Sequence, residues 1–462
     1  MKFSTGFILL VFCASWTYGQ QRRTTPFRIS NRVGEATART PTPPQNDETL
    51  SRAVVDLALA LGREAAESNG ASSAADVFSP VSIMGVLNLL LLGADGISRS
   101  ELLGALKMNT RMTMPNYHRK SSAMMSNLLS KNPQSMDVLP WKAVSCIKDD
   151  YEDYDDLPAQ TTPKTTQLRI ANGIFSQINF PISSKFIDIA NQYYGAEAQR
   201  VNFKDSFSAA ALINKWVTQA TNGRIREVSN GQFSPETSMM IASSLYFKAS
   251  WEHEFTAKST RPRDFYPDGS GRPSFKVDSM TLTECLPYYF DRNAGVRIIG
   301  FPYSDNSTTM YVIMPQNSTR AKLRSLQLQL TSTQIDNMIK SMARKTATVT
   351  FPRMELTSST NLENSFRRLG IKSIFHPQQS NLRIMLEPTA QGRVPLHVSQ
   401  ITHKVNLSVD EKGTEGSAVT VTLVDRVGSS VNFITNGPFL IYVRHDPTRL
   451  PIFYGAVYDP RG

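Results

Sequence analysis

Side chains that commonly carry catalysis or bind metals are sparse and scattered in this sequence. The six histidines show no metal-ligand spacing: His118, His253, His376, His397, His403 and His445. The pair His253-Glu254 resembles half of a zinc motif, but Ala257 stands where the second histidine belongs. The nucleophile-elbow, phosphate-loop and dinucleotide-binding motifs are absent as well. The sequence therefore predicts neither an enzyme nor a metal or cofactor site.

The stretch after residue 410 has a pattern of another kind. Residues 414–424 have the threonine, valine and small-residue composition of a β-strand, without a clear turn before them. One alternating set of side chains carries no charge: Thr414, Gly416, Ala418, Thr420, Thr422 and Val424. Glu415 and Asp425 belong to the other set. Such a segment could enter a sheet with its uncharged side towards the core, or it could be an edge strand followed by a long loop.

The secondary structure that must position this segment is predicted to be helical in the first part of the chain and mostly β-strand in the second. Leu50 begins an amphipathic helix, and Ser79-Pro80 begins a second, almost wholly apolar helix that ends near Gly93. A short helix is predicted over 361–369, where Gly370 ends it. Strands are predicted in the second half, at 310–314, 347–351, 439–443 and 452–454. Helices early and strands late predict an α+β fold.

Composition sets the broad class of the protein. The chain has 462 residues, of which 40% are hydrophobic, which is enough for a buried core. No apolar run reaches the roughly 18 residues that a membrane-spanning helix needs. Fifty Lys and Arg against 39 Asp and Glu give a net charge of +11. This surplus favours acidic partners but does not distinguish sulfated glycans from anionic membranes or nucleic acid.

Two segments lack the periodicity of a folded core. Residues 20–48 are polar and basic and predict a disordered tail. Residues 131–166 read as an inserted loop that contains the acidic run Asp149–Asp156. The two interpretations of the insertion are a solvated loop and a strip that docks on a basic patch of a partner.

The N-terminus and the sequons predict a secreted glycoprotein. Residues 1–19 have a positive start, a short apolar run and small residues before a cut at Gln20, as a signal peptide does. Turn-like sequons at Asn306 and Asn317 predict glycosylation, whereas the sequon at Asn406 lies in an expected strand and is discounted. After loss of Cys13 with the signal, Cys146 and Cys285 remain, either paired or as free thiols.

Several motifs, in order along the chain, resemble those of the serpin family. They are Phe78-Ser-Pro-Val-Ser-Ile83, Ile213-Asn-Lys-Trp-Val217, Leu245-Tyr-Phe-Lys-Ala-Ser-Trp251, the run Leu369-Gly-Ile371, Val398-Ser399 with His403-Lys404, and Phe453-Tyr-Gly-Ala-Val457. The resemblance covers about residues 50–462 apart from the insertion. It implies one domain, over 49–462, with three β-sheets, about nine helices and an exposed reactive loop near the C-terminus.

The resemblance also implies a function for the segment after residue 410. Residues 411–437 would form the hinge and reactive loop, and the hinge would consist of Glu411, Gly413, Thr414, Glu415, Gly416, Ser417, Ala418, Val419 and Thr420. A serine protease would attack the loop, and the freed loop would insert into the main sheet and trap the acyl-enzyme. The reactive bond is expected at Val427-Gly428, which suits an elastase-like protease, or at Arg426-Val427, which suits a trypsin-like one.

The resemblance further implies a cluster that controls opening of the main sheet. Its members would be Ser79, Ser82, Ser243, His403 and Trp251. The family usually has Asn-Ala where this chain has Ser243-Ser244, so the hydrogen bonds of the cluster are expected to differ. Val419 is also larger than the residue expected at its position.

The expected partner is an extracellular serine protease, either trypsin-like or elastase-like. We expect a secreted monomer that binds neither nucleic acid nor membranes and that regulates a proteolytic cascade; the alternative is a carrier, storage or binding protein. Glycosaminoglycan binding through Arg111, His118, Arg119 and Lys120 is a further hypothesis, although scattered basic residues are usually solvated surface.

Overall fold

The structure is a computed structural model that describes residues 47–68, 74–108, 112–135, 139–144, 146, 166–390, 395–414 and 431–462. These residues all belong to one compact unit, Pro44–Gly462. The predicted signal peptide, nearly all of the basic tail, the acidic run 149–156 and residues 415–430 lie outside the described residues.

Nine α-helices lie in the described part of the chain. They are α1 (Glu48–Ser68), α2 (Pro80–Gly93), α3 (Gly96–Ala105), α4 (Met114–Leu128), α5 (Ser184–Tyr194), α6 (Ser206–Ala220), α7 (Arg320–Gln329), α8 (Ser332–Lys340) and α9 (Glu363–Arg368). Helix α2 begins as its sequence predicts, because the Ser79 hydroxyl accepts a hydrogen bond from the Ser82 amide and proline occupies the first turn. Among the helices described, none is long and apolar enough to cross a bilayer.

Fifteen strands lie in the same described segments. They are β1 (Ala75–Phe78), β2 (Gln167–Gln177), β3 (Glu197–Val201), β4 (Met239–Ser250), β5 (Arg261–Phe265), β6 (Phe275–Asp291), β7 (Val296–Pro302), β8 (Thr308–Pro315), β9 (Ala343–Pro352), β10 (Met354–Asn361), β11 (Gln400–Val409), β12 (Gly413–Thr414), β13 (Val431–Ile434), β14 (Phe439–His445) and β15 (Leu450–Val457). The four strands predicted in the second half correspond to β8, β9, β14 and β15, and the α+β class is confirmed.

The strands form two hydrogen-bonded systems. The larger has the order β1-β15-β14-β8-β7-β6-β9-β13, with β5 also paired to β6. Its long strand β6 pairs with β5 and β9 over most of its length and with β7 only over 288–291. The strand β6 thus joins two parts of the larger system. If these parts are counted as two sheets, the total is roughly consistent with the expected three.

The second system is the main sheet, in the order β10-β11-β4-β2-β3, with β12 paired to β4. Helix α2 contacts both β4 of this sheet and β15 of the larger system, and nearly all of its residues are buried. The apolar helix predicted from the sequence therefore lies in the core between the sheets, directly under the strands that hold the predicted site.

A disulfide links Cys146 to Cys285 of β6, with 5.9 Å between their Cα atoms. The sequence left open whether these cysteines pair, and the structure pairs them. The bond fixes the segment before the acidic run to the larger sheet system.

Candidate functional site

The predicted hinge begins inside the main sheet. Gly413 pairs with Ser250 and Thr414 with Ala249, in antiparallel register, so these two residues form the short strand β12 beside the end of β4. At its other end, the segment returns to the fold at β13, which pairs in parallel with β9. The sixteen residues between Thr414 and Val431, which include the hinge residues from Glu415 to Thr420 and the candidate reactive bonds at Arg426, Val427 and Gly428, lie outside the described residues.

Only glycine fits at position 413, for steric reasons. A Cβ atom there would overlap the carbonyl oxygen of Ala249 and press on the Cα atom of Ser250. The sequence suggested only that a glycine gives the hinge backbone freedom. The structure adds that no larger residue fits while the hinge backbone lies this close to β4.

Thr414 points into the core, as the alternation predicted. Its side chain is 1% exposed, and its hydroxyl shares a 2.7 Å hydrogen bond with the hydroxyl of Tyr303. The ring of Tyr303 stacks on Trp251, with 4.5 Å between ring centroids. The first side chain of the uncharged set is therefore buried and has a hydrogen-bond partner, so burial leaves neither hydroxyl unsatisfied.

Four hydrogen bonds hold the residues just before Gly413. The Trp251 amide donates to the carbonyl oxygen of Lys412 at 2.9 Å, and its indole Nε1 donates to the carbonyl oxygen of Asp410 at 3.0 Å. The carbonyl oxygen of Glu411 accepts from the Phe255 amide at 2.7 Å. The carboxylate of Glu411 accepts from the hydroxyl of Thr260 at 2.6 Å.

Ser79, Ser82, Ser243 and His403 lie together beneath the main sheet. The Ser79 amide donates to Nε2 of His403 at 3.0 Å, and the hydroxyls of Ser82 and Ser243 share a 2.8 Å hydrogen bond. His403 Nδ1 lies 3.3 Å from the Ser243 hydroxyl. Since Nε2 accepts a hydrogen bond, Nδ1 carries the proton of the neutral ring and donates to Ser243. Ser243 thus takes part in the cluster although the family pattern has asparagine there.

The position of His403 determines its charge. Burial lowers the pKa of His403 to about 3, because no carboxylate offsets the cost of placing an imidazolium in the core. The ring is therefore neutral at physiological pH, in the protonation state that accepts from the Ser79 amide. Trp251, which the resemblance placed with this cluster, lies instead against the hinge and Tyr303.

The proposed glycosaminoglycan surface does not form around His118. This side chain is buried on α4, lies 2.6 Å from the hydroxyl of Tyr194 through Nδ1, and has its pKa lowered to about 4 by burial. Lys120 forms an ion pair with Asp47 at 2.7 Å. Arg111 lies outside the described residues, so the structure leaves only the exposed Arg119 and the partly exposed, ion-paired Lys120 of this set at the surface.

The two retained sequons lie at the surface. Asn306 and Asn317 are exposed and have φ angles of 56° and 51°, in turns before and after β8. Asn406 lies inside β11, as expected, with its amide donating to Thr357 of the neighbouring strand. Glycosylation at Asn306 and Asn317 stays a prediction.

Comparison with known proteins identifies the architecture. A family model described as serpin (serine protease inhibitor) matches residues 52–460. The chain belongs to the serpin family. The family resemblance that the sequence predicted is therefore confirmed.

Relatives and solved serpin structures cover most of the chain. Serine protease inhibitor 28Dc of Drosophila melanogaster is 33% identical over 442 residues, which is 89% of this chain and 80% of the relative. The structure of Serpin48 from the insect Tenebrio molitor is 22% identical, with a TM-score of 0.71, and covers 90% of this chain and 99% of that one. Human thyroxine-binding globulin, solved in complex with its hormone, has a TM-score of 0.73 at 19% identity and covers 89% of this chain and 99% of that one.

These likenesses support the fold and a coarse function. The fold is that of a serpin, and relatives named as serine protease inhibitors connect the chain with protease inhibition. A protein of the same fold, thyroxine-binding globulin, binds thyroxine, so the fold alone does not fix the function.

Proposed function

We propose that this serpin is a secreted suicide-substrate inhibitor of an extracellular serine protease, acting in a proteolytic cascade. The observation that carries the proposal is the pairing of Gly413 and Thr414 with the end of β4, with Thr414 buried against Tyr303. The segment that would insert after cleavage already has its first two residues in the main sheet.

We infer a path for the inserting loop from the register of β12. If the antiparallel pairing of Thr414 with Ala249 continues, residue 424 lies opposite Met239, the first residue of β4. The strand 414–424 would then match nearly the whole length of β4, or roughly 36 Å at about 3.3 Å per residue. Its even-numbered side chains would follow Thr414 towards the core, and these are the uncharged ones.

Insertion along this path requires the main sheet to open. Strand β11 pairs in parallel with β4 over residues 240–245, so the new strand would have to separate them there. Ser243 and His403 are opposite each other in this pairing, and the hydrogen bonds of their cluster would break or rearrange. The cluster is therefore proposed to resist opening until cleavage frees the loop.

The covalent step would use the triad of the protease. Its serine oxygen would attack the carbonyl carbon of Arg426 or Val427, and the bond to the next nitrogen would break as the leaving amine takes a proton from the protease histidine. The loop would remain as an ester on the serine. Insertion of 414–424 would move that ester towards the far end of the main sheet before water could hydrolyse it.

Incubation with one trypsin-like and one elastase-like protease tests the proposal. We expect an adduct that resists SDS, with a released C-terminal fragment beginning at Val427 or at Gly428. A protease whose catalytic serine is replaced by alanine is the control and should give no adduct. Complete cleavage of the loop with full recovery of protease activity would contradict the inhibitory proposal.

The alternative is a carrier function, favoured by a surface cavity of about 710 Å³ between the β6–β7 turn and helices α7 and α8. Tyr289, Lys322, Leu326 and Met338 are among its lining residues.

A thermal melt distinguishes the inhibitor from the carrier. An inserted strand adds about ten hydrogen bonds of roughly 1 kcal/mol each, so cleavage of an inhibitor should raise the midpoint by more than about 10 °C. An unchanged midpoint favours the carrier.

A further inference from the structure

A short segment between α4 and β2 is fixed to the larger sheet system near the hinge. We call residues 139–144 and Cys146 the strap. Its Trp141 is 1% exposed, Leu139 is also buried, and Cys146 is bonded covalently to Cys285 of β6. A solvated loop would show neither the two buried side chains nor the disulfide, so this part of the insertion is an ordered element of the fold.

Arg344 of β9 connects the strap to the residues that hold the hinge. Its guanidinium donates to the carbonyl oxygen of Trp141 at 3.3 Å and lies 5.6 Å from the centre of the Trp141 ring. The same group donates to the carbonyl oxygen of Cys285 at 3.0 Å and to the carboxylate of Glu252 at 3.0 Å. Its side chain is 13% exposed, so these bonds are largely shielded from water. Glu252 directly follows Trp251, whose amide and indole hold Lys412 and Asp410.

Lys142 makes a second connection from the strap. Its ammonium forms an ion pair with the buried carboxylate of Asp446 at 2.8 Å and donates to the carbonyl oxygen of Asn306 at 2.9 Å. Asn306 lies in the turn between β7 and β8, which begins at Tyr303. The Ser304 amide in this turn donates to the carbonyl oxygen of Ser250, the residue that pairs with Gly413.

The two connections reach the hinge from different sides. Through Arg344 and Glu252 the strap reaches Trp251, and through Lys142 and the 303–308 turn it reaches Tyr303. These two aromatic residues stack on each other and bind the hinge on both sides of Gly413. We propose that the disulfide-anchored strap is a positioning element that keeps the hinge paired with β4 and so sets how readily the loop inserts.

The direction of the effect follows from nucleation. Because two residues are already paired with β4, the loop does not have to form the first strand contacts, which are the unfavourable step. The first turn of a helix has the same nucleating role. Removing the strap frees Trp251 and Tyr303 to move, lowers the occupancy of β12 and slows insertion. The effect on insertion rests on the proposed inhibitory function, whereas the effect on hinge pairing does not.

Amide hydrogen exchange measures hinge pairing without a protease. In the variant Cys146→Ser/Cys285→Ser of the full chain, the amides of Trp251 and Phe255, which donate to the hinge, should exchange at least about tenfold faster. Arg344→Gln keeps the disulfide and should accelerate the same amides. The control is Arg320→Gln, which removes the 2.8 Å ion pair with Asp268 at the start of α7 and should leave them unchanged.

Two results of this measurement would overturn the proposal. Unchanged exchange at Trp251 and Phe255 in both variants would mean that the strap does not reach the hinge. Equal acceleration throughout the domain, with α5 as the reference helix, would mean that the disulfide only stabilises the fold.

A second measurement addresses insertion. With a protease that the wild type traps, the two variants should need about threefold or more serpin per protease inhibited, because more loop is cleaved before insertion. An unchanged ratio with accelerated exchange would overturn the link to insertion. If the wild type forms no adduct with any protease, the proposed function fails, and the exchange result still decides whether the strap holds the hinge.

Discussion

At the scale of single residues, the backbone of Gly413 lies close against strand β4 of the main sheet. In Gly413→Ala, the new methyl group would overlap the carbonyl oxygen of Ala249. We expect the hinge to leave β4 or the strand to shift, with a loss of about 1–3 kcal/mol in the free energy of unfolding. Urea denaturation measures this loss.

A matched glycine elsewhere controls for the methyl group itself. Gly104 lies within α3 and has open space around its Cα atom. Gly104→Ala should therefore leave stability unchanged or raise it by up to about 1 kcal/mol, because alanine favours helix. Equal denaturation midpoints for Gly413→Ala and the wild type would contradict the account of close packing.

Thr414 is the first side chain of the segment to enter the core. In Thr414→Arg, a guanidinium would replace a buried hydroxyl next to Tyr303, at a cost of several kcal/mol unless it is expelled. The loop should then be cleaved without forming an adduct. Gel analysis should show at least about tenfold less adduct per cleavage. Thr414→Val, which keeps the shape and loses one hydrogen bond, is the control and should still form adduct; equal yields from both variants would contradict insertion.

At the scale of elements, sequence predicted best where the signals are local. The cap of α2 is set by Ser79, Pro80 and Ser82 within four residues, and it was predicted correctly. The hinge pairing was not predicted, because Gly413 meets Ser250, which is far away in sequence. The Cys146–Cys285 bond was left open for the same reason, since 139 residues separate its ends.

Helix α4 has a local signal in its sequence. Tyr117, Ser121, Met124 and Leu128 follow helical spacing and are buried. His118 lies beside the first of these and turns towards Tyr194 of α5 rather than towards solvent. His118 lies about 100° around the helix from Tyr117, so helical spacing alone does not bury it. Its contact with Tyr194, like the ion pair of Lys120 with Asp47, depends on tertiary packing.

If the loop inserts as a strand, neighbouring residues face opposite sides of the sheet, and this alternation can be tested by substituting one residue of each side. Continuing from Thr414, Ala418 would point to the core and Val419 to the opposite face. Ala418→Arg should therefore abolish adduct formation, while Val419→Arg should retain it within about threefold, since only the first would bury a charge. The yield of SDS-resistant complex measures both. Equal losses in the two variants would contradict the alternation, and equal retention would contradict insertion.

At the scale of the whole molecule, buried histidines connect stability to pH. Burial lowers the pKa of His118 to about 4, of His403 to about 3 and of His445 to about 4, against about 6.5 in the unfolded chain. At a pH between the folded and the unfolded pKa values, the unfolded chain binds protons that the folded protein does not bind. These three side chains therefore lower the free energy of unfolding as the pH drops from about 6.5 towards 4.

His403 can be separated from the other two by the slope of this loss. His403→Gln removes one group that takes up a proton only on unfolding. The free energy of unfolding of the variant should therefore fall less steeply with acidification than that of the wild type. The difference between the two slopes should be about 1 kcal/mol per pH unit between pH 6 and 4.5. The substitution also disturbs hydrogen bonds to Ser79 and Ser243, which lowers stability equally at every pH and leaves the slope as the diagnostic. Urea denaturation at several pH values measures it, and an unchanged slope in His403→Gln would mean that His403 becomes protonated while the main sheet is still closed.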